Sequence, residues 1–299
     1  MQNGERNLHH LEKIVALAAL AAVFALSVGF AQAGEMRAGE KKNGRKSDEV
    51  YLRSAVALVQ DAASGETLIA KNQAMVLPIA SITKLMTAMV ILDANLNLDQ
   101  RVVISDEDYD LLKGTRSRLR PGTVLTRDEL LMLALMSSEN RAAASLARTY
   151  PGGQNAFVAA MNAKAAAIGM RDSRFVDATG LSSSNVSTAH DLARLVSSAH
   201  EYPLIRQYST RESATVMASG RPLGYRNTNG LVRSVNWDIG LSKTGYISEA
   251  GRCLVMRVRL HSREVIVVLL DSWGKLSRVG DANRIKKWLE THAPTGPKG

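Results

Sequence analysis

The chain is expected to fold as an α+β protein, with one antiparallel sheet shared by its two ends, flanked by helices, and a helical insertion between them. Three observations predict this. Short β-rich runs lie near both ends, at Arg53–Gln60 and Thr67–Ala70 and again from Trp237 onward. The middle carries helical periodicity with cap residues. The later β-rich runs are joined by Ser248-Glu249-Ala250-Gly251 and His261-Ser262-Arg263, and such short connections make them antiparallel neighbours. With 299 residues and 45% hydrophobic content, the chain can bury a sizeable core.

Taken in order, Ala62–Glu66 is a turn, so Arg53–Gln60 and Thr67–Ala70 form a hairpin. Helical spacing runs from Ser81 to about Ala94 and is broken by Asn95–Asp99. Val102-Val103-Ile104 is short and extended. Thr126-Arg127-Asp128-Glu129 has the T-x-x-E capping-box pattern and opens the apolar run Leu130–Met136. Arg141–Arg148 is helical again and is stopped by Pro151-Gly152-Gly153. Periodicity would let one helix run through the intervening serines, whereas Ser137, Ser138 and Asn140 prefer caps and turns; both readings stay open. Gln154–Ile168 is a helix, Phe175–Thr188 a loop, and Thr188 starts a helix to about His200. His190 and His200 read as first-turn and last-turn surface residues rather than as bases. Trp237–Lys243, Arg252–Leu260 and Glu264–Leu270 are strands, and Arg278–Glu290 is an amphipathic closing helix.

The N-terminus carries Lys13, an uncharged stretch Ile14–Phe30, and then Ala31-Gln32-Ala33. A basic flank, an apolar stretch and an A-x-A site make a secretory signal peptide over residues 1–33, cleaved after Ala33. An uncleaved anchor is the competing reading, because the apolar stretch is long. Residues 34–48 read as a flexible basic leader, 49–292 as the folded domain with its helical insertion at about 85–200, and 293–299 as a tail. The formal net charge of +10 suits an anionic partner, but only Lys41–Lys46 is a dense basic run. No nucleic-acid motif accompanies it, and export makes nucleic acid an unsuitable partner. Cys253 is the single cysteine and reads as a small buried hydrophobe. No His/Cys/Asp cluster has metal-ligand spacing, so neither metal nor cofactor is expected.

Chemistry is carried by three motifs in order: Ser81-x-x-Lys84, Ser138-x-Asn140 and Lys243-Thr244-Gly245. On a helix, positions i and i+3 share a face about 4.5 Å apart along the axis. A desolvated Lys84 can then take the proton of the Ser81 hydroxyl, and Ser81 becomes the acylated nucleophile. Ser138 can pass a proton between Lys84 and the leaving amine. Asn140 offers a carbonyl and an amide to a substrate backbone, and Lys243 and Thr244 can bind a carboxylate. Gly245 keeps a strand edge bare for an extended peptide. The backbone N–H groups of Ser81 and Tyr246 would form the oxyanion hole. Two of the motifs have decoys, Ser272-x-x-Lys275 and Ser183-x-Asn185, while K-T-G occurs once. Ser272 fails the helix-start test, and Ser183 sits in a serine-rich loop.

The S-x-x-K, S-x-N, K-T-G set is the signature of penicillin-recognising serine enzymes. The stretches Ala80–Thr87, Leu133–Ala142 and Leu241–Tyr246 resemble the low-molecular-mass penicillin-binding proteins, the serine D-Ala-D-Ala peptidases, and within them the D-alanyl-D-alanine endopeptidase branch. The similarity spans roughly 55–290 and takes in Thr179–Ser182 and Asn185–Ala189. It implies a β-lactamase/transpeptidase-like fold and places Ser138-x-Asn140 in a loop between two helices. It implies cleavage of D-Ala–meso-diaminopimelate cross-links of peptidoglycan in the periplasm, covalent inhibition by β-lactams, and peripheral association with wall or membrane. A carboxypeptidase of the same family is the nearest rival. Glu139 stands where that branch typically has glycine, and too few residues follow Gly245 for its second domain and membrane helix. A β-lactamase would need an E-x-x-L-N pattern, which is lacking. A non-catalytic peptidoglycan-binding module would not need the nucleophile.

Overall fold

The computed structural model describes residues 50–260 and 263–292. The expected signal peptide, basic leader and tail lie outside them. In chain order come β1 (Ser54–Asp61), β2 (Thr67–Lys71), β3 (Leu77–Pro78), a 3-10 turn Ala80–Ile82, α1 (Thr83–Asp93), β4 (Arg101–Val103) and β5 (Val124–Thr126). There follow α2 (Arg127–Met136), α3 (Asn140–Arg148), α4 (Gly153–Ala167), β6 (Val186–Ser187), α5 (Ala189–His200) and α6 (Pro203–Thr210). The chain closes with β7 (Ser213–Ala218), β8 (Arg221–Arg226), β9 (Asp238–Ile247), β10 (Gly251–Leu260), β11 (Arg263–Ser272) and α7 (Ser277–Thr291).

The main sheet has five strands in the order β2-β1-β11-β10-β9, all antiparallel. The two chain ends therefore meet in its middle, as expected. Its strands read as near-continuous apolar runs because both faces are covered. Val56, Leu58, Val255, Val268 and Leu270 pack on one face with the helices of the insertion. Ala57, Val59, Leu254, Val267 and Leu269 point the other way and pack with Ala282 and Ile285 of α7. Helix α1 is buried along its whole length from Thr83 to Ile91. A helix that is apolar all round must sit in the interior, and this one carries Lys84 inside with it.

The T-x-x-E box closes as expected: Glu129 N donates to Thr126 Oγ1 at 3.1 Å and Thr126 N to Glu129 Oε2 at 2.8 Å. The break at the serines is real. Helix α2 stops at Met136 and α3 restarts at Asn140, with the Glu139 side chain capping it by accepting from Arg141 N at 3.1 Å. Helix α6 and the β7–β8 hairpin have no counterpart in the sequence reading. The hairpin turns at Ser219-Gly220, both at positive φ, a primed-type turn signal that the composition around it masked. Strand β9 runs on past Lys243 to Ile247, so K-T-G lies within the strand. His200, read as a surface residue, is half-buried: a Cβ on Gly240 of β9 would lie 3.0 Å from its Nε2.

One buried polar knot ties both chain ends together. The Asp281 carboxylate in α7 accepts from Ser54 N at 2.7 Å, Ser54 Oγ at 2.5 Å and Arg53 N at 3.0 Å. The decoy serine Ser272 lies 2.6 Å from Ser54 Oγ, which gives it a structural role. Burial opposes ionisation of Asp281, but the hydrogen bonds from Ser54 and Arg53 outweigh it and hold its pKa below the usual value. We expect Asp281→Ala to cost about 3 kcal/mol in urea unfolding, because the Ser54 donors are left buried and unpaired. A depressed carboxylate pKa stabilises above the unfolded value, so the deficit should be full at neutral pH. It should shrink as the pH falls through the carboxylate range.

Candidate active site

The segment before α1 is held on both sides. Leu77 and Pro78 pair with β6, and Ile79 N donates to Asn185 O at 3.0 Å. Ala80 then takes φ 47°, a left-handed conformation that costs a non-glycine residue roughly 1–3 kcal/mol. Thr83 Oγ1 donates to Ala80 O at 2.8 Å and fixes the turn. The result is Ser81 in the 3-10 turn, half-buried, at the N-terminus of α1.

Lys84 lies one turn further and is fully buried. Its Nζ donates to Ser81 Oγ at 3.0 Å, Asn140 Oδ1 at 2.7 Å and Thr179 O at 2.6 Å, which uses all three protons of an ammonium. None of these acceptors is a carboxylate. Burial therefore pulls the Lys84 pKa down to about 7, against the opposing charges of Asp177, Glu139 and Asp110. An amine with a substantial neutral fraction near pH 7 and 3.0 Å from a serine hydroxyl can receive its proton.

Ser138 occupies the α2–α3 break at φ 59°. Its Oγ accepts from Lys243 Nζ at 2.9 Å, whereas Lys84 reaches past it to Asn140. Asn140 was expected to offer both ends of its amide to a substrate, but both have partners inside the protein: Oδ1 with Lys84, and Nδ2 donating to Thr115 Oγ1 at 3.0 Å. Lys243 is buried as well. Burial, then repulsion from Lys84 and Arg278, pushes its pKa well below the lysine range. Thr244 Oγ1 donates to Thr228 Oγ1 at 2.6 Å.

Two glycines permit the closest approaches. A Cβ on Gly245 would lie 2.9 Å from Ile79 O and 3.1 Å from Ser81 N, so bare backbone brings the edge strand β9 against the start of α1. A Cβ on Gly180, at φ +78°, would fall 2.0 Å from Ala80 O. Tyr246 follows Gly245 on that edge, with 57% of its surface exposed.

Ser81, Lys84, Ser138, Asn140, Lys243, Thr244 and Gly245 thus converge on one cleft. The decoy Asn185 is buried, and its side chain ties the neighbouring loop by accepting from Val176 N at 2.9 Å and donating to Asp177 Oδ2 at 2.6 Å. Other residues at the site escaped the sequence reading. The Asp177 carboxylate accepts from Thr179 N at 2.6 Å, Gly180 N at 2.7 Å and Ser182 N at 3.1 Å, and so holds Thr179 O on Lys84. The D-x-T-G spacing of an Asx turn was its available signal. Arg278 of α7 donates to Gly245 O and Cys253 O, both at 3.0 Å; no local pattern marks it.

A family model described as D-alanyl-D-alanine carboxypeptidase matches residues 42–274. The chain belongs to this family. It is 52% identical over 243 residues to a D-alanyl-D-alanine endopeptidase of Pseudomonas aeruginosa, covering 80% of this chain and 78% of the relative. It is 47% identical over 242 residues to one of Escherichia coli, with the same coverage of 80% and 78%. Among solved structures it is similar to the Streptomyces K15 DD-transpeptidase, with TM-score 0.75 and 27% identity, over 81% of this chain and 99% of that one. The expected β-lactamase/transpeptidase-like fold is therefore the fold of this family member.

Gly245→Ala should press a methyl group into the backbone at Ile79 and Ser81, where nothing can swing aside. We expect labelling of Ser81 by a fluorescent penicillin to slow at least about tenfold, with α-helical circular dichroism unchanged.

Proposed function

We propose that this family member is a serine endopeptidase of peptidoglycan, hydrolysing D-Ala–meso-diaminopimelate cross-links through an acyl-enzyme on Ser81. The observation that carries the reading is the buried Lys84 amine, with a pKa near 7, 3.0 Å from Ser81 Oγ and beside the bare edge of β9. The two endopeptidase relatives favour the cross-link over a terminal D-Ala as substrate.

In this mechanism the substrate peptide lies along β9. Lys243 and Thr244 take the carboxylate next to the scissile amide, which restores the charge that burial removes from Lys243. A charged Lys243 then favours neutral Lys84. Ser81 Oγ attacks the D-Ala carbonyl carbon, and its proton passes to Lys84 Nζ. The N–H groups of Ser81 and Tyr246 hold the oxyanion. Collapse breaks the amide: Ser138, its Oγ held by Lys243, gives its proton to the leaving amine and is reprotonated by Lys84, which returns to the neutral amine. Water then cleaves the ester and restores Ser81. A penicillin acylates the same oxygen and is lost slowly.

The reading also places the enzyme in the periplasm, with residues 1–33 as a cleaved export signal, 34–48 as a leader, and the basic surface in peripheral contact with the wall or membrane. The family description favours a second reading, release of terminal D-Ala from pentapeptides.

Digestion of purified cross-linked and uncross-linked muropeptides, followed by mass spectrometry, separates the two readings. Dimers should fall to monomers; free D-Ala from monomers with intact dimers would overturn the endopeptidase reading. Ser81→Ala should leave dimers intact and take no covalent penicillin. Acylation by penicillin should rise with pH about a midpoint near 7, because only neutral Lys84 accepts the proton. Lys84→Arg, which stays charged, should lower acylation by about 10²–10⁴-fold across that range.

A further inference from the structure

A cavity of about 800 Å³ opens beside the β7–β8 hairpin, lined by Arg118, Arg211 and Arg226 together with Tyr225, Ser213 and Thr215. Among the described residues, no acidic one lines it. All three arginines are exposed, and among the described residues none has a carboxylate partner within ion-pair distance. The Arg118 guanidinium rests 4.0 Å over the Tyr225 ring, and Arg211 is spent on Ser213 O and the weak acceptor Met132 Sδ. Tyr225 is 5% exposed, and its hydroxyl is buried without a hydrogen-bond partner, which native structures rarely tolerate. Three arginines lining one cavity form a receptor for a carboxylate.

Two of the lining arginines lie close in the chain to residues that contact the active-site motifs. Arg226 is two residues before Thr228, whose hydroxyl accepts from Thr244 of K-T-G. Arg118 is three residues after Thr115, whose hydroxyl accepts from Asn140 of S-x-N. Two or three extended residues span at most about 7–10 Å. Thr244 binds the carboxylate on the leaving side of the scissile bond in the reading above. In that reading Arg226, within about 7 Å of Thr228 along the backbone, lies toward the leaving side.

We propose that this cavity is a subsite for a second carboxylate of the leaving peptide stem. The inference rests on the endopeptidase reading. A terminal D-Ala leaves with one carboxylate and needs nothing beyond Lys243 and Thr244. A cross-linked stem leaves as a peptide carrying further carboxylates, and these reach the arginines. The cavity is what makes a two-stem substrate better than a one-stem one.

The test compares wild type with Arg118→Gln/Arg226→Gln on three substrates: cross-linked dimers, the same dimers with leaving-stem carboxylates amidated, and a fluorescent penicillin. Wild-type cleavage of dimers tests the endopeptidase reading by itself. If that holds, the double variant should lose about tenfold or more in kcat/KM on native dimers, the worth of a lost charged hydrogen bond. It should acylate with penicillin within about twofold of wild type. Wild type should cut amidated dimers as slowly as the variant cuts native ones. Arg221→Gln, the same charge change at the far end of the hairpin and outside the cavity, serves as control and should cut native dimers at the wild-type rate. Equal loss in the control, equal loss on penicillin, or undiminished dimer cleavage by the double variant would each overturn the subsite.

Discussion

An amine buried without a carboxylate in contact is the constraint on which the rest of the structure depends. Lys84 Nζ has three acceptors, all neutral. Each comes from a different part of the chain: the turn before α1, the first residue of α3, and the Asp177 loop. Holding the three in register demands conformations that an unconstrained chain avoids. Ala80 and Ser138 both sit at positive φ without being glycine, and Gly180 must lie against the Ala80 carbonyl. The apolar surround of α1 offsets these local costs, because a helix buried on every side cannot shift to relieve them.

The same burial sets up the electrostatics. Burial lowers the pKa of both Lys84 and Lys243, and the charges of Lys84 and Arg278 lower that of Lys243 further. A buried amine without a carboxylate partner sheds its proton readily, so both lysines are poised to change charge with what lies beside them. The bare edge of β9 lies along this field, where an extended peptide can add as a further strand. Arg118, Arg211 and Arg226 gather further positive charge beside the β7–β8 hairpin.

Much of the fold was legible because local patterns and global packing agree. The strand–turn signals at both ends, the Thr126–Glu129 box and the Pro151-Gly152-Gly153 stop all sit where the structure uses them. The reading weakened where local chemistry is ambiguous. Periodicity across Ser137–Asn140 suited one helix as well as two, and the family resemblance rather than the pattern favoured the break. The β7–β8 hairpin was passed over because its strands are polar on one face and its Ser-Gly turn is short. His200 looked superficial by position in its helix and is covered by a strand forty residues away in the chain.

The sequence by itself determined the chemistry available: one S-x-x-K at a helix start, one K-T-G, an S-x-N between helical runs, and a sheet shared by the chain ends. It could do so because each motif is local, with its spacing read directly as a face of a helix or an edge of a strand. Only the tertiary structure decided which groups touch. It gave Ser138 to Lys243 and Asn140 to Lys84, and turned the decoys Ser272 and Asn185 into structural ties. It brought Asp177 and Arg278 to the cleft. The physical reason is that desolvation and long-range hydrogen bonds depend on what closes over a side chain. For Lys84 those partners lie 56 and 95 residues away in the chain.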